Sequence, residues 1–210
     1  MLECDILAVP SAKKYAVPSA ESSAVPSTSY LLTGVNMDTF SKALLSKKTD
    51  RIPDEFDWFA PLIGDWDCDY YDEYAGQERH VKGEWIFRRV LEGTGVQDIF
   101  IFPSRNTKDE NPQPDGEYGT SIRMFNKSDK CYDVVYTCDH VMKRLCFKKE
   151  NDRLVGKVLD EKATFWVFSD FTGDSFRWEY IQNMEDGTKK LVCHIIGKKT
   201  SYGKLYQAAR

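Results

Sequence analysis

Between residues 64 and 199, short stretches of alternating apolar and polar residues follow one another, with turn residues between them. Alternation with a period of two is typical of β-strands, because successive side chains of a strand point to opposite faces of the sheet. The predicted strands are Gly64–Tyr74, Val81–Leu91, Gly95–Phe102, Tyr118–Phe125, Tyr132–Thr137, Val141–Lys148, Arg153–Leu159, Lys162–Ser169, Ser175–Asn183 and Thr188–Lys199.

The connections between these strands are short, and no helical pattern long enough for a crossover separates them. Parallel pairing would require such crossovers, so the strands are predicted to pair antiparallel. About ten consecutive strands leave exposed edges unless the sheet closes on itself. The pattern therefore predicts an all-β fold, a single antiparallel up-and-down β-barrel of about ten strands, which has room for one small ligand.

The segment before the first strand, residues 37–63, has a different pattern. Asp38 is a favourable N-cap, and Phe40, Ala43 and Leu44 recur at helical spacing, so a short helix is predicted here. The apolar cluster that follows, residues 56–62, is predicted to plug one end of the barrel. The predicted organisation is thus a tail over residues 1–36, a helix and plug over 37–63, and a barrel over 64–210.

The predicted tail contains a repeat of the sequence Ala-Val-Pro-Ser, which begins at Ala8, Ala16 and Ala24. Such a composition buries too little apolar surface to offset the entropy of an ordered chain, so the tail is predicted to be disordered. An alternative is that translation naturally starts at Met37.

Composition narrows the classes of function. The net charge is −4, with 29 basic and 33 acidic residues well mixed, so no basic surface for nucleic acid is predicted. No apolar run approaches the roughly 20 residues that span a membrane, and the first residues lack the pattern of a secretory signal. A cytoplasmic protein is predicted, whose six cysteines are reduced thiols, and no metal site is predicted because none of them forms a CxxC pair.

Four segments together resemble a bacterial family of lipocalin-like, or calycin-type, β-barrel domains. They are 62–66 (LIGDW), 91–98 (LEGTGVQD), 118–123 (YGTSIR) and 166–178 (WVFSDFTGDSFRW), and the resemblance covers about residues 55 to 200. It implies the fold but little about activity. The family is distantly similar to nitrobindins, which hold haem through a histidine on a late strand. That similarity makes His194 a weak candidate for a haem ligand, although Asp67-Cys68-Asp69 replaces the glycine-rich extension of nitrobindins.

The alternation also indicates candidate ligand-binding residues. A buried arginine needs a charged partner, so an inward Arg123 or Arg177 would pair with an acidic residue such as Asp98 or bind a ligand carboxylate. The alternative places both arginines on the outer wall. Aromatic walls and a hydroxyl group would complete the pocket, and the predicted binding residues are Arg123, Asp98, Tyr136, Trp85, Trp178 and Arg177.

The favoured function is therefore the binding of a small apolar or amphipathic molecule, with a carboxylate among the candidates, and without a cofactor. Three alternatives stay open at this point. One is a cofactor-free isomerase, lyase or hydrolase that uses Asp98 or Glu84 as an acid or base. The others are a haem protein with His194 as ligand, and a filled barrel that acts through its surface. Assembly as a homodimer also stays open.

Overall fold

The chain forms a closed barrel of ten strands in a computed structural model that describes residues 37–139 and 141–200. The short helix α1 covers Thr39–Leu44, and 3₁₀ turns cover Asp54–Phe56, Ala60–Leu62 and Leu91–Gly93. The strands are β1 Gly64–Tyr74, β2 Gln77–Val90, β3 Gly95–Phe102, β4 Glu117–Asn126, β5 Cys131–Thr137, β6 Met142–Glu150, β7 Arg153–Val158, β8 Thr164–Ser169, β9 Ser175–Asn183 and β10 Lys189–Lys199. The tail predicted for residues 1–36 lies outside the described residues, as does His140.

Every strand pairs antiparallel with its neighbours in sequence, and β1 closes the barrel against β10. The closing register runs from Trp66 opposite Lys199 to Asp72 opposite Cys193. The predicted fold class, an all-β up-and-down barrel of ten antiparallel strands with a short N-terminal helix, is confirmed. None of the described helices is long and apolar enough to span a membrane.

Three strands, β2, β4 and β5, begin earlier than their patterns predict. β2 starts at Gln77, because the tight turn at Ala75 and Gly76, whose φ angles are 52° and 79°, brings the chain straight back onto β1. β4 starts at Glu117 rather than Tyr118, since Glu117 already pairs with Phe102 of β3. The second difference matters for function because it adds an inward-facing carboxyl group to the barrel wall.

The helix α1 forms as predicted, capped by Asp38, whose Oδ1 accepts a hydrogen bond of 2.9 Å from the Ser41 amide. Its apolar residues do not enter the core: Phe40 is 73% exposed, and no residue of α1 is buried. The helix therefore contributes little to the packing that positions the interior.

We call the segment 56–62 the plug, and its apolar side chains pack into or against the hydrophobic core. Phe59 and Leu62 are fully buried in the core. The Tyr132 hydroxyl donates to the Phe56 carbonyl at 2.8 Å, and the Arg89 guanidinium donates two hydrogen bonds to Asp57, at 2.7 and 3.0 Å. These contacts fix the plug to β5 and β2.

The interior divides into two halves along the barrel axis. The half next to the plug is filled with fully buried side chains, among them Phe59, Leu62, Phe87, Phe147, Phe168 and Phe176. The opposite half contains a cavity that reaches the mouth of the barrel. The alternative of a barrel that acts only through its surface would require an interior filled throughout. The cavity shows that the interior is not filled in this way.

Gly156 on β7 allows the filled half to pack. A Cβ atom at this position would lie 2.3 Å from two ring atoms of Phe147, which is fully buried and packs against Phe59 and Phe168. We expect Gly156→Ala to lower the free energy of unfolding by about 1–3 kcal/mol, because the crowded ring cannot move aside. Thermal or urea denaturation measures this effect.

Gly173 provides the matched control. It lies in the loop before β9, with no atom within 4 Å of the position of a Cβ. Gly173→Ala is expected to change stability by less than about 0.5 kcal/mol. Equal losses from the two substitutions would contradict the packing explanation.

Candidate ligand cavity

The cavity in the mouth half has a volume of about 230 Å³. Its walls come from β1, β2, β3, β4, β5, β6, β8, β9 and β10, so almost the whole circumference contributes. The lining residues are Tyr70, Trp85, Phe100, Glu117, Ser121, Tyr136, Cys138, Val141, Lys143, Trp166, Trp178, Tyr180, Val192, Cys193 and Ile195.

Four of these side chains, Tyr136, Trp166, Trp178 and Trp85, form what we call the aromatic chain. Consecutive rings contact edge to face, with centroid distances of 5.2, 5.5 and 5.8 Å and interplanar angles of 72° to 80°. This arrangement is the favourable one for aromatic pairs. The aromatic chain therefore gives the cavity a firm apolar wall.

The polar atoms of the aromatic chain have no acceptor among the described residues. The indole Nε1 atoms of Trp85, Trp166 and Trp178 and the Tyr136 hydroxyl are all buried, and none makes a hydrogen bond. The four side chains are between 5% and 8% exposed. A buried donor without an acceptor costs about 1–3 kcal/mol. Four such side chains surround one cavity.

The floor of the cavity is formed by Ser121 on β4. The Ser121 amide donates to Asp98 Oδ1 at 3.1 Å, and Arg123 Nη2 lies 3.5 Å from the Ser121 hydroxyl. Arg123 Nη1 and Asp98 Oδ2 form an ion pair, although they are not aligned as a hydrogen bond. This pair lies between the floor and the plug.

The predicted role of Arg123 and Asp98 as direct ligand contacts needs correction. Both side chains point inward, and they pair with each other, but neither lines the cavity. Arg123 is 1% exposed, and its guanidinium lies over the rings of Phe59, Phe87 and Phe168, 5.0 to 5.9 Å from their centroids. Arg123 is therefore buried in the filled half, where Asp98 balances its charge.

The mouth of the cavity carries one cation. Lys143 on β6 forms an ion pair with Glu161, and its ammonium group lies 3.5 Å from the Tyr180 hydroxyl. Tyr180 in turn donates to Glu161 at 2.9 Å. Burial opposes the charge of Lys143, but the hydrogen bonds and charge interactions with Glu161 and Tyr180 together outweigh it and raise the pKa of the lysine. Lys143 therefore remains protonated at the mouth.

Glu117, the first residue of β4, is a lining residue that the sequence analysis missed. Burial raises the pKa of its carboxyl group to about 7, and nearby Asp115 and Asp98 act in the same direction while Lys143 opposes them. The turn residues Pro112, Pro114 and Gly116 made this segment resemble a loop. The signal that would have found it is the alternation Glu117, Gly119, Ser121, Arg123, which places the carboxyl group on the inward face of β4.

Three of the predicted binding residues, Tyr136, Trp85 and Trp178, do line the cavity, and two candidates lie outside the barrel. The Arg177 side chain is half-buried on the outer wall, where its Nε donates to Glu179 at 2.9 Å, while the adjacent Phe176 and Trp178 point inward. The structure thus places Arg177 where the alternative interpretation had it, away from the ligand cavity.

His194 also lies on the outer wall, where its ring stacks on Tyr71 with the centroids 4.8 Å apart. Partial burial and the neighbouring Arg177 lower the pKa of His194. His80 on β2 stacks on the same Tyr71 ring, with the centroids 4.5 Å apart. Neither histidine points into the cavity, so the described residues do not fit a haem held inside the barrel.

The predicted alternative of an inward acid or base is not supported at Glu84. This side chain lies on the outer wall and accepts hydrogen bonds of 2.6 Å from the amide and from Nη2 of Arg105. Partial burial opposes ionisation, but the hydrogen bonds to Arg105 lower the pKa of Glu84 below its ordinary value. Asp98, the other candidate, is held by Arg123 beneath the cavity floor.

A group of three potential metal ligands that sequence spacing did not reveal lies on the outer wall near the β4–β5 turn. The side-chain ligand atoms of Cys131, Asp133 and Cys146 lie within 4.8 Å of one another. Burial and the neighbouring Cys146 thiol raise the pKa of Cys131 to about 12, so this thiol is protonated at neutral pH.

Comparison with known proteins does not identify a family for this chain. No protein-family model matches the sequence, and none of the curated proteins matches it. Among solved structures, the chain is similar to a redesigned β-barrel with 11% sequence identity and a TM-score of 0.36, over 74% of this chain and 100% of the other. The resemblance to lipocalin-like domains therefore stays a prediction.

Proposed function

We propose that this protein binds a compact, flat molecule with an apolar body and hydrogen-bond acceptors. The single observation that carries the proposal is that the four side chains of the aromatic chain line one cavity, while their buried polar atoms make no hydrogen bond with any described residue. The acceptors of a ligand would satisfy these donors, while the edge-to-face rings would enclose its apolar part. A carboxylate, the group predicted from the sequence, offers such acceptors.

The size of the cavity limits the ligand. Pockets for drug-sized molecules usually have volumes of about 300–1,000 Å³. A cavity of about 230 Å³ therefore fits a molecule of one or two rings rather than a large cofactor. Native mass spectrometry of freshly purified protein, followed by release under denaturing conditions, should reveal a retained molecule of this size.

Tyr136→Phe provides a sharp test, because it removes one hydroxyl group and changes the shape of the wall very little. We expect the affinity for acetophenone, a flat molecule with one carbonyl acceptor, to fall about two- to tenfold, since a neutral hydrogen bond contributes roughly 0.5–1.5 kcal/mol. The free energy of unfolding should stay the same or rise, because the variant no longer buries a hydroxyl group without a partner. Calorimetric titration and urea denaturation measure the two effects.

Two controls accompany this test. Ethylbenzene has the shape of acetophenone without its acceptor, so it should bind the wild-type protein more weakly and should not distinguish Tyr136→Phe. Tyr71→Phe removes a hydroxyl group from the outer wall and should leave acetophenone binding unchanged. If acetophenone binds no better than ethylbenzene, and no small molecule copurifies with the protein, the proposed function is wrong.

A further inference from the structure

The Glu117 carboxyl group occupies a distinctive position in the cavity wall. It is reachable from the cavity, and no described residue forms a hydrogen bond with it. By contrast, the other carboxyl group at the mouth, that of Glu161, is held by Lys143 and Tyr180. Glu117 is therefore the carboxyl group that remains free to contact a ligand.

The surroundings of Glu117 favour its neutral form. Acidic residues approach it from two sides, Asp98 on β3 and Asp115 before β4, and the only facing cation among the described residues is Lys143 on β6. Burial raises the pKa of Tyr70 on β1 and of Cys193 on β10, so both are neutral at pH 7. The lining also includes Tyr136 on β5, Tyr180 on β9 and Cys138. Lys143 is already paired with Glu161, so it does little to stabilise a second negative charge.

When Glu117 is neutral, the polar groups along the cavity wall that lack an acceptor all offer a hydrogen. They comprise the carboxyl O–H of Glu117, the Tyr136 hydroxyl and the three indole N–H groups. Lys143 adds a positive charge at the mouth. A cavity that presents donors and one cation is complementary to an anion and leaves a cationic ligand without a partner.

We propose that the ligand is a small organic carboxylate and that Glu117 takes up a proton from solvent and donates it in a hydrogen bond to that carboxylate. The proposal rests on the proposed function and names the charge class of its ligand. Glu117 is then the specificity-determining residue of the cavity, because in its ionised form it would repel the same ligand.

The expected pH dependence follows from this coupling of binding to protonation. Below about pH 7, the pKa that burial gives Glu117, the group already carries its proton and the affinity for a carboxylate is constant. Above that pH the proton must be supplied on binding, so the affinity falls tenfold for each further pH unit. A neutral ligand without this requirement should bind with a weaker dependence on pH.

Three flat molecules of nearly the same shape test the proposal: benzoate as the anion, acetophenone as the neutral ligand and benzamidine as the cation. Calorimetric titration of the full chain at pH 6, 7 and 8, in buffers of different ionisation enthalpy, measures both affinity and proton uptake. We expect benzoate to bind most tightly at pH 6 and to take up close to one proton at pH 8. Glu117→Gln, which keeps a donor and cannot ionise, should abolish the decline between pH 7 and 8.

Glu84→Gln is the control variant, because it neutralises a carboxylate on the outer wall and should leave the decline intact. Tighter binding of benzamidine than of benzoate, or an undiminished decline in Glu117→Gln, would overturn the proposal. If acetophenone binds and benzoate does not at any pH, the charge class is wrong while the proposed function stands. If none of the three molecules binds, the proposed function fails as well.

Discussion

Asp98→Asn is expected to lower the free energy of unfolding by about 3–5 kcal/mol, because it leaves the Arg123 charge in the filled half without a counter-charge. Both side chains are almost completely buried, at 1% and 0% exposure, so water cannot solvate the arginine in place of the carboxylate. The rings of Phe59, Phe87 and Phe168 attract the guanidinium but do not neutralise it. Urea denaturation followed by circular dichroism measures the loss.

A matched control exists on the outer wall. Arg177 and Glu179 form an ion pair between side chains that are 27% and 20% exposed. Glu179→Gln is expected to cost no more than about 1 kcal/mol, because solvent screens the remaining charge. Asp98→Asn and Arg123→Met combined should be less harmful than Asp98→Asn alone, since the double variant buries no unpaired charge. If Asp98→Asn and Glu179→Gln cost a similar free energy of unfolding, burial does not make the loss of the Asp98 charge more costly.

Phe59→Ala is expected to lower the free energy of unfolding by about 3–5 kcal/mol, the usual cost of removing a fully buried aromatic ring. Phe59 packs edge to face against Tyr132, Phe147 and Phe168, with centroid distances of 4.9 to 6.2 Å. Its ring also lies 5.0 Å from the Arg123 guanidinium. The substitution therefore removes the centre of the plug and one aromatic neighbour of the buried charge at the same time.

Phe40→Ala is the corresponding control, because Phe40 belongs to α1 and is 73% exposed. Its loss should change the free energy of unfolding by less than about 0.5 kcal/mol. Chemical denaturation of both variants under the same conditions gives the comparison. A cost below about 1 kcal/mol for Phe59→Ala would mean that the plug does not contribute to the stability of the barrel.

The fold could be predicted from the sequence because alternation fixes both the strands and their two faces. Alternation left open which face of each strand is inward, but Trp85, Tyr136 and Trp178, which were predicted as binding residues, do line the cavity. Alternation is also compatible with Arg123 and Asp98 both pointing into the barrel. It does not give the height of a side chain along the barrel axis, and that height decides whether a charge lies in the filled half or in the cavity.

The errors have local physical causes. Glu117 was assigned to a loop because proline and glycine precede it, although it already pairs with β3. Arg177 and His194 lie on strands as predicted, but their side chains alternate outward. On β10 an irregularity between Leu191 and Cys193 shifts the pairing register with β9. The alternation of apolar and polar residues along the sequence does not reveal such a shift. These positions depend on pairing between distant strands rather than on local sequence.

The division of the interior into a filled half and a hollow half has a consequence for how such a protein can diverge. Residues that pack the filled half, such as Phe59 and Arg123, are separate from those that line the cavity, such as Tyr136 and Glu117. Exchanging side chains at the mouth can therefore alter which molecule is accepted while leaving the foundation of the barrel intact. A scaffold organised in this way is well suited to acquiring new specificities by few substitutions, whether in nature or in the laboratory.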